Sequence, residues 1–343
     1  MRFDCVVGNP PYQEETKDTS DLPIYHHFYN LAESLASVYC IISPAKFLFN
    51  AGKTPAVWNK KMLGDKYLKV LSYWKDAGQV FPNITFEGGV AITYRDVNVI
   101  NGPIGQFNAF SELDTITRKV FSIANESLNI IMYLQNKFDL DALYNDYPAL
   151  RSVIGSGGRE KRLTTSIFDT LGDVFNEEQQ SVTDIRILGV QNASRIIRYI
   201  NRKYLVPSEN VNMYKVLISK SNGASGTLGE ESARIISTPE IGTPNQGFTQ
   251  SFISVGAFDS EYEVNAAFKY IKSRFSRVLL GVMKVTQDNS PDKWQCVPLQ
   301  DFTPHSDIDW TQAIADIDRQ LYAKYGLDEM EIAFIEGKVK AME

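Results

Sequence analysis

A short, largely apolar run that ends in Asn9-Pro10-Pro11-Tyr12 constrains this chain more than any other feature. The run from Phe3 to Gly8 reads as a buried strand, because its apolar residues stop abruptly at two prolines. Each proline fixes φ and pushes the residue before it into an extended conformation, so the chain leaves the strand in a stiff turn. Pro10 and Pro11 also lack N–H groups, which leaves nearby backbone carbonyl oxygens free to point into a pocket.

This turn carries the groups that hold a planar ring with an amino substituent. The Asn9 side chain and a Pro10 carbonyl can accept hydrogen bonds from an exocyclic NH2 group, which orients the nitrogen lone pair toward an incoming methyl group. Tyr12 offers a face on which a base flipped out of a duplex can stack. No strong general base is needed, because the nitrogen attacks first and loses its proton afterwards. The alternative is a proline-rich turn without chemistry, and the strand-then-turn context favours the functional interpretation.

Length and composition are those of an ordinary globular protein, and they favour neither a membrane protein nor a metalloprotein. With 343 residues, the chain has room for two domains with sizeable cores. No apolar run approaches the length of a membrane span, and the sequence starts directly with a strand, so we expect a cytoplasmic protein without membrane contact. The three cysteines and three histidines are too few and too scattered for a disulfide framework or a metal site, and neither is predicted.

Two basic stretches stand out against a net charge of −6. Residues 194–221 carry six cations and one acid, with tyrosines interleaved, and residues 268–284 carry five cations and no acid. A solvated helix face is the ordinary explanation, but beside Asn9–Tyr12 we interpret these stretches as surfaces for DNA phosphates. The predicted DNA-contacting residues are Arg195, Arg198, Arg202, Lys203, Lys215, Lys220, Lys272, Arg274, Arg277, Lys284 and, from the polar cluster Thr286-Gln287-Asp288-Asn289, Gln287.

Strand and helix patterns alternate over the first hundred residues and predict a parallel α/β unit. The predicted strands are 3–7, 38–43, 67–74 and 89–94, and the predicted helices are 24–36 and 58–63. Asn101-Gly102-Pro103 interrupts the pattern. We therefore predict two domains, residues 1–102 and residues 103–343.

The second region mixes shorter elements. The predicted helices are 111–121, 125–138, 261–274 and two between 308 and 340, and the predicted strands are 185–190, 215–219 and 252–255. Asp328 can cap the last helix, with Glu331 three residues on as in a capping box. Glycines in the segment Asn222–Gly229 loosely mimic a dinucleotide-binding fingerprint, but their Gly-x-x-Gly-x-x-Gly spacing favours a flexible loop that touches DNA phosphates through N–H groups. Residues 154–158 read as a glycine loop.

Further motifs follow Asn9–Tyr12 in order. They are Asp21-Leu22-Pro23-Ile24-Tyr25-His26-His27-Phe28, then Cys40-Ile41-Ile42-Ser43-Pro44-Ala45-Lys46-Phe47-Leu48, then Val80-Phe81-Pro82 with Gly88-Gly89-Val90-Ala91-Ile92. Together these motifs resemble the second half of the catalytic domain of gamma-class N6-adenine DNA methyltransferases, in particular the methylase part of Eco57I-like restriction–modification enzymes. Weaker similarity, in Gln250–Ser260 and Ile317–Ile332, extends to the target-recognition region of such enzymes.

The resemblance implies an α/β fold in which a partial Rossmann-like methyltransferase sheet, its second half only, precedes a mixed α/β target-recognition domain with C-terminal helices. It implies site-specific adenine-N6 methylation of double-stranded DNA within a restriction–modification system. Asn9, Pro10, Pro11 and Tyr12 would form the catalytic motif, and Tyr12 and Phe81 would stack on the flipped base. Residues from about 105 onward would read the target.

The resemblance also implies S-adenosylmethionine as the methyl donor. Family members carry its glycine-rich loop and acidic strand end ahead of this region, and no counterpart is found in the sequence. We therefore expect an incomplete cofactor site and an apolar edge on strand 3–7, which proteins avoid exposing. A second polypeptide with the cofactor-binding half, a longer chain or self-association would cover that edge.

Two other functional classes stay open. A catalytically silent DNA-specificity subunit would bind DNA selectively without affinity for S-adenosylmethionine. A methyltransferase acting on glutamine or RNA could use the same turn, because related Asn-Pro-Pro-Tyr turns serve planar amides and guanines. The large second region with two basic stretches disfavours a protein substrate. No carboxylate–Lys nuclease motif is found, so no nuclease activity is predicted for this chain.

Overall fold

The chain folds into two compact units, Met1–Asp114 and Thr115–Glu343, called unit 1 and unit 2 below. The structure, a computed structural model, describes residues 3–14, 22–82, 88–105, 107–154, 161–222 and 226–343. The domain boundary predicted after residue 102 falls inside unit 1. Asp21 of the second motif and parts of the loops predicted at 154–158 and 222–229 lie outside the described residues.

Unit 1 contains a four-stranded sheet with helices between its strands. Its elements are strands β1 (Val6–Gly8), β2 (Gln13–Glu14), β3 (Leu22–Pro23), β4 (Val38–Pro44), β5 (Leu68–Trp74) and β6 (Val90–Asp96), with helices α1 (Tyr25–Leu35) and α2 (Ala56–Gly64). The strand order of the sheet is β1-β4-β6-β5, and β2 pairs with β3 separately. The strands and helices predicted for this region are confirmed within a few residues at each end.

The parallel arrangement holds for only part of this sheet. Strands β1 and β4 are parallel and joined by α1, as predicted, with Gly8 opposite Ile41. Strand β6 is antiparallel to both β4 and β5. A parallel connection requires a crossover, usually a helix, and the described part of the segment between β5 and β6 has only the 3-10 turn Ala77–Gln79. The α/β class is confirmed, with a mixed rather than an all-parallel sheet.

Aromatic packing fixes α1 against the end of β4. Tyr25 and Tyr29 of α1, Phe47 of the 3-10 turn after β4, and Trp58 of α2 are all buried. The ring centroids of Tyr29 and Trp58 lie 5.5 Å apart, and those of Phe47 and Trp58 lie 5.1 Å apart. Such edge-to-face and tilted contacts stabilise the unit beyond the area they bury.

Unit 2 is built on two further sheets and a helical C-terminal part. Its strands are β7 (Met132–Tyr133), β8 (Asp184–Gln191), β9 (Ser194–Asn201), β10 (Tyr214–Ser219), β11 (Glu240–Gly242), β12 (Gln246–Phe248) and β13 (Phe252–Phe258). Its helices are α3 (Ser111–Ile123, which begins in unit 1), α4 (Leu140–Asp146), α5 (Ile167–Thr170), α6 (Glu261–Lys272), α7 (Arg274–Met283), α8 (Ile314–Lys324) and α9 (Glu329–Lys338). One sheet has the order β11-β10-β13-β7 and is antiparallel, and the other has the order β12-β8-β9.

One helix predicted for unit 2 is wrong. Residues 125–138 form a 3-10 turn (Leu128–Ile131) and strand β7 instead of a helix, because Tyr133 pairs with Ser254 of β13. The basic stretch that begins at residue 194 opens with strand β9, which the sequence patterns do not predict. Asn192 and Ala193 both adopt positive φ, at 50° and 59°, and close a two-residue hairpin between β8 and β9.

Helix-capping residues explain where the helices α7 and α9 begin. Asp328 and Glu331 form the predicted capping box at the start of α9. The predicted helix 261–274 divides after Lys272, because Ser273 caps a second helix, α7. Among the described residues, no helix combines the length and the apolar composition needed to cross a membrane.

Candidate base pocket and nucleic-acid interface

The Asn9-Pro10-Pro11-Tyr12 turn begins where the parallel strands β1 and β4 both end. Gly8 is paired with Ile41, so the turn lies beside the last residues of β4, Ser43 and Pro44. Asn9 and Pro11 are exposed, while Pro10 and Tyr12 are half-buried. Because α/β sheets hold ligands outside the carboxyl ends of parallel strands, this is the edge at which a base pocket is expected.

The chain after the turn is anchored, which fixes the position of Tyr12. The Tyr12 carbonyl accepts a hydrogen bond from the Ile24 N–H at 3.1 Å, immediately before α1. Strands β2 and β3 then pair, with Gln13 opposite Pro23. Tyr12 is therefore held between the end of β1 and the start of α1.

The structure places the rings of Tyr12 and Phe81, the two residues predicted to stack on a base, in edge-to-face contact. Their centroids are 6.3 Å apart and their planes are inclined by 67°. Phe81 is held by its own N–H, which donates to the Ala77 carbonyl at 2.8 Å. A base sandwiched between two parallel rings needs about 7 Å between them, twice an ordinary carbon–carbon contact. One of the two rings must therefore rotate before a base can lie between them.

A buried hydroxyl network below this edge was not predicted from the sequence. The Tyr29 hydroxyl of α1 lies 2.9 Å from Ser43 Oγ on β4 and 2.7 Å from Thr93 Oγ1 on β6. Burial raises the pKa of Tyr29 to about 12, while Ser43 and Thr93 oppose the rise. Tyr12, whose pKa is also raised by burial, adds to it through charge. Both phenols therefore stay neutral at physiological pH, and the network ties α1, β4 and β6 together.

The glycine pair that precedes β6 does not form an open loop for S-adenosylmethionine. Gly88 and Gly89, which precede β6 at φ 87° and 73°, are the glycine pair at this edge. A Cβ on Gly89 would collide with the Trp74 carbonyl oxygen, and one on Gly88 would collide with the Lys46 side chain. These glycines permit close packing and leave no open phosphate- or cofactor-sized loop. No step of a reaction is therefore assigned to a cofactor held by these residues.

Strand β1 forms an exposed apolar edge. Phe3 is 49% exposed and Val7 is 78% exposed. Within the described part of the chain, β4 is the one strand that pairs with β1. The edge expected from the sequence is thus observed.

Groups of three or more His, Cys, Asp or Glu residues that could hold a metal ion are absent from the described ranges.

In the first basic stretch, most predicted phosphate ligands are engaged by the protein itself. The ion pairs are Arg195–Glu240 at 3.2 Å, Arg198–Glu177 at 3.0 Å and Lys203–Asp146 at 2.6 Å. Arg202 donates to the side-chain oxygens of Asn212 and Asn245. These side chains remain partly exposed, but neighbouring acids offset three of the four charges.

Four predicted DNA contacts are wrong, because the side chains are inside the fold. Lys215, Arg277 and Lys284 are 0% exposed and Lys272 is 7% exposed. Lys215 Nζ donates to the carbonyls of residues 211, 243 and 246, the last at 2.8 Å, and burial lowers the pKa of this lysine to about 7. Lys284 Nζ donates to the carbonyls of residues 226 and 286. Lys215 and Lys284 thus hold loops together instead of meeting a duplex.

Arg274 and Asn289 also have structural roles. Arg274 Nε donates to the Val339 carbonyl at 3.1 Å, and its Nη1 lies 3.5 Å from the Glu336 carboxylate. Asn289, within the polar cluster considered for base contacts, is fully buried and accepts a hydrogen bond from Trp294 Nε1. Gln287 of the same cluster is exposed.

Lys220 lies in a cavity of unit 2 that is rich in hydroxyl groups, called the hydroxyl groove below. Its volume is about 690 Å³, and its lining comprises Thr164, Thr165, Ser166, Val190, Ser219, Lys220, Ser221, Gln250, Ser251 and Asp288. The Lys220 N–H donates to the Ser251 carbonyl at 2.9 Å. Ser251 Oγ is buried and has no hydrogen-bond partner among the described residues. Hydroxyl, amide and ammonium groups are the donors that proteins direct at phosphate oxygens and base edges.

Comparisons with known proteins agree with the motif analysis of unit 1. Residues 1–81 match the family model of the Eco57I restriction-modification methylase, which confirms the resemblance over that segment. An uncharacterized adenine-specific methylase of Mycoplasma pneumoniae (strain ATCC 29342 / M129 / Subtype 1) is 28% identical in an alignment 142 residues long, which covers 38% of this chain and 34% of that protein. The match thus spans about a third of the relative's length.

Among solved structures, the type IIL restriction-modification enzyme MmeI in complex with DNA aligns with a TM-score of 0.42 at 10% identity. The alignment covers 97% of this chain and 56% of that chain.

Proposed function

We propose that this chain, whose residues 1–81 match the Eco57I restriction-modification methylase model, supplies the base pocket and the DNA-recognition region for adenine-N6 methylation of DNA. One observation carries the proposal: Asn9–Tyr12 follows β1 at the edge where β4 also ends, with the Phe81 ring against Tyr12. This arrangement combines acceptors for an amino group with aromatic faces for its ring. Such a pocket suits a base that has left the duplex.

The chemistry assigned to the chain is orientation of the adenine amino group. Asn9 Oδ1 and the Pro10 carbonyl accept the two N6–H groups, so the N6 lone pair is directed out of the ring plane. The nitrogen would then take the methyl group from a sulfonium donor, whose sulfur keeps the electron pair of the broken carbon–sulfur bond, and the methylated N6 would afterwards lose a proton to solvent. In this proposal S-adenosylmethionine supplies the methyl group and is held by residues other than those described.

Base entry requires the Tyr12–Phe81 pair to open. The two rings are inclined by 67° without a base, and rotation of the half-buried Phe81 would give a parallel slot. Stacking on such rings contributes about 1–3 kcal/mol per base. That free energy offsets part of the cost of extracting adenine from the helix.

Unit 2 is proposed to contact the duplex through the hydroxyl groove. Lys220 is the predicted phosphate ligand that faces this cavity, and the surrounding side chains offer hydroxyl and amide donors. Exposed Gln287 lies close by, since its carbonyl accepts the Asn222 N–H at 3.0 Å, next to Ser221 of the groove. The other partly exposed cations of the first basic stretch would contribute only if phosphates displaced their partners within the protein. These cations are Arg195, Arg198, Arg202 and Lys203.

The cofactor-binding portion is proposed to pair with the open edge of β1. The exposure of Phe3 and Val7 supports this, since an apolar edge strand is otherwise a site for unwanted association. A longer chain or a second polypeptide would supply the additional strands equally well.

Replacing Asn9 tests the base pocket directly. With the cofactor-binding portion supplied, Asn9→Ala is expected to reduce radiolabelled methyl transfer to duplex DNA by about 100-fold or more, while DNA affinity changes by less than about twofold. The matched control is Asn98→Ala, because Asn98 is also exposed and lies in the turn after β6, bonded to Asp96. Transfer by Asn9→Ala at the rate of the control would remove Asn9 from the mechanism.

A catalytically silent DNA-specificity subunit is the second candidate. It is favoured by the close packing at Gly88 and Gly89, the glycine pair before β6, which leaves no open cofactor-binding loop there. Sequence-selective DNA binding without affinity for S-adenosylmethionine, and without transfer when the cofactor-binding portion is supplied, would establish this alternative. Competition between DNA, RNA and protein as methyl acceptors separates both candidates from an RNA or glutamine methyltransferase.

A further inference from the structure

A second cavity of unit 2, of about 660 Å³, has no role in the proposed DNA chemistry. It lies between helices α6 and α7, the start of α8 and residues 341–343. Its charged lining comprises Lys269, Lys272, Arg274, Arg277, Asp318 and Glu343. Four cations thus face two acids in one concave site.

Arg277 is the most unusual of these residues. Its side chain is 0% exposed, and Nε donates to the carbonyls of Lys272 and Ser273, at 3.0 Å and 3.1 Å. Nη1 donates to the Arg234 carbonyl at 3.0 Å. Nη2 is buried and has no hydrogen-bond partner in the described part of the chain. A charged donor left without an acceptor is costly, so its position in a cavity lining indicates an acceptor from outside the protein.

The neighbouring acid Asp318 is committed elsewhere. Its carboxylate accepts the backbone N–H of Arg274 at 3.1 Å and of Phe275 at 2.9 Å, and so caps the start of α7. Burial lowers the pKa of Arg277 to about 10; Asp318 opposes this shift and Arg274 adds to it. The site therefore retains an incompletely balanced positive charge.

Lys272 brings a second cation to the same place. It is 7% exposed, and its Nζ lies 4.8 Å from the centroid of the Phe268 ring. Burial lowers the pKa of Lys272, and the charge of Arg277 lowers it further, while Glu343 opposes them. Two buried cations that repel each other favour a bound anion.

The start of α8 adds a third favourable element. This helix of 11 residues begins at Ile314, and its N-cap, Ala313, has no side chain that can bond the first-turn N–H groups. The N-terminal end of a helix attracts anions through these groups and the helix dipole. Ala313 and Ala315 both line the cavity and are exposed.

We propose that this cavity binds a small organic phosphate of mononucleotide size. Arg277 Nη2 and Lys272 Nζ donate to the phosphate oxygens, and the start of α8 faces the same group. Phe268, Ile314 and Met342 provide apolar surface for the body of the ligand. A volume of about 660 Å³ is in the range of small-molecule sites. A duplex backbone is disfavoured, because its phosphates do not reach a fully buried guanidinium.

Calorimetric titration of the full chain with adenosine 5′-monophosphate, adenosine and inorganic phosphate tests the proposal. The monophosphate is expected to bind at least about tenfold more tightly than adenosine, because charge-assisted hydrogen bonds to the phosphate are lost with the nucleoside. Arg277→Met should abolish the difference. Absence of binding by both the monophosphate and inorganic phosphate would overturn the proposal.

A variant at the cavity mouth keeps the test decisive if Arg277→Met fails to fold. Ala315→Glu places a carboxylate in the first turn of α8, which favours the helix but repels an anion. It should weaken monophosphate binding at least about tenfold without lowering the Tm. Ala315→Gln, similar in size and uncharged, should bind within about twofold of the unmodified chain. Equal binding by the two variants, or displacement of the monophosphate by short duplex DNA, would contradict a small-phosphate site.

Discussion

Lys215 lies near the start of β10 and Lys220 directly follows its end, but their surroundings are opposite. Lys215 is enclosed and bonded to three backbone carbonyls, whereas Lys220 lines the hydroxyl groove. The sequence presents both as cations of one basic stretch. Charge could be read from the sequence, but two of the three carbonyl acceptors around Lys215, those of residues 243 and 246, come from a segment distant in the chain and could not.

Replacing Lys215 is expected to affect stability. Lys215→Met leaves the carbonyls of residues 211, 243 and 246 without their donor, and we expect the free energy of unfolding to fall by about 2–3 kcal/mol. Lys220→Met, the control, should change it by less than about 0.5 kcal/mol. Urea denaturation of the two variants gives the comparison. Equal stabilities would mean that Lys215 does not hold these loops.

The same pair of variants separates folding from DNA binding. Lys220→Met should weaken duplex binding and reduce the slope of log affinity against log salt by about 1, because one phosphate contact is lost. Lys203→Met is a useful comparison, since Lys203 is already paired with Asp146 and should change the slope less. Fluorescence anisotropy across a salt series measures both. An unchanged slope in Lys220→Met would exclude the hydroxyl groove from the phosphate contacts.

At the scale of the element, the predictions succeeded where local signals decide. The strands and helices of the first hundred residues follow apolar periodicity, and Asp328 with Glu331 was recognisable as a capping box. The helix predicted for residues 125–138 does not form, because the pairing of β7 with β13 overrides the helical pattern of this segment. The division between α6 and α7 was not predicted, because the apolar periodicity continues through Ser273. In the structure Ser273 is the N-cap of α7.

Ser260 forms a second capping box, at the start of α6. Its Oγ accepts the Glu263 N–H, and the Glu263 carboxylate accepts the Ser260 N–H. Ser260→Ala should therefore lower the free energy of unfolding by about 1 kcal/mol. Ser122→Ala, on the exposed side of α3, is the matched control and should have little effect. Thermal denaturation monitored by circular dichroism distinguishes the two, and equal Tm values would deny the cap a stabilising role.

The candidate site could be predicted in part because its residues are close in sequence. The turn of residues 9–12 directly follows β1, so its position at a sheet edge could be foreseen from local pattern alone. The Tyr12–Phe81 contact was expected from the resemblance and is observed edge-to-face rather than parallel. The hydroxyl network of Tyr29, Ser43 and Thr93 joins three separate elements, and nothing local indicates that they meet.

At the scale of the whole molecule, the proposed functional sites are distributed over both units. Unit 1 carries the turn of residues 9–12 and the open edge of β1. Unit 2 carries the hydroxyl groove and the cavity lined by Lys272 and Arg277 that is proposed to bind a small phosphate. The proposed enzyme is complete only when a cofactor-binding portion pairs with β1. The central claim is therefore that this chain presents the adenine and recognises the DNA, while the methyl donor is bound elsewhere.

Radiolabelled methyl transfer from S-adenosylmethionine to mixed-sequence duplex DNA tests that claim most directly. The chain is assayed alone and with the polypeptide encoded immediately upstream, supplied separately or fused ahead of residue 1. We expect transfer to adenine N6 only when the upstream portion is present, and loss of that transfer in Asn9→Ala. Transfer by the chain alone would contradict the division of labour, and transfer to RNA or protein in preference to DNA would contradict the proposed substrate.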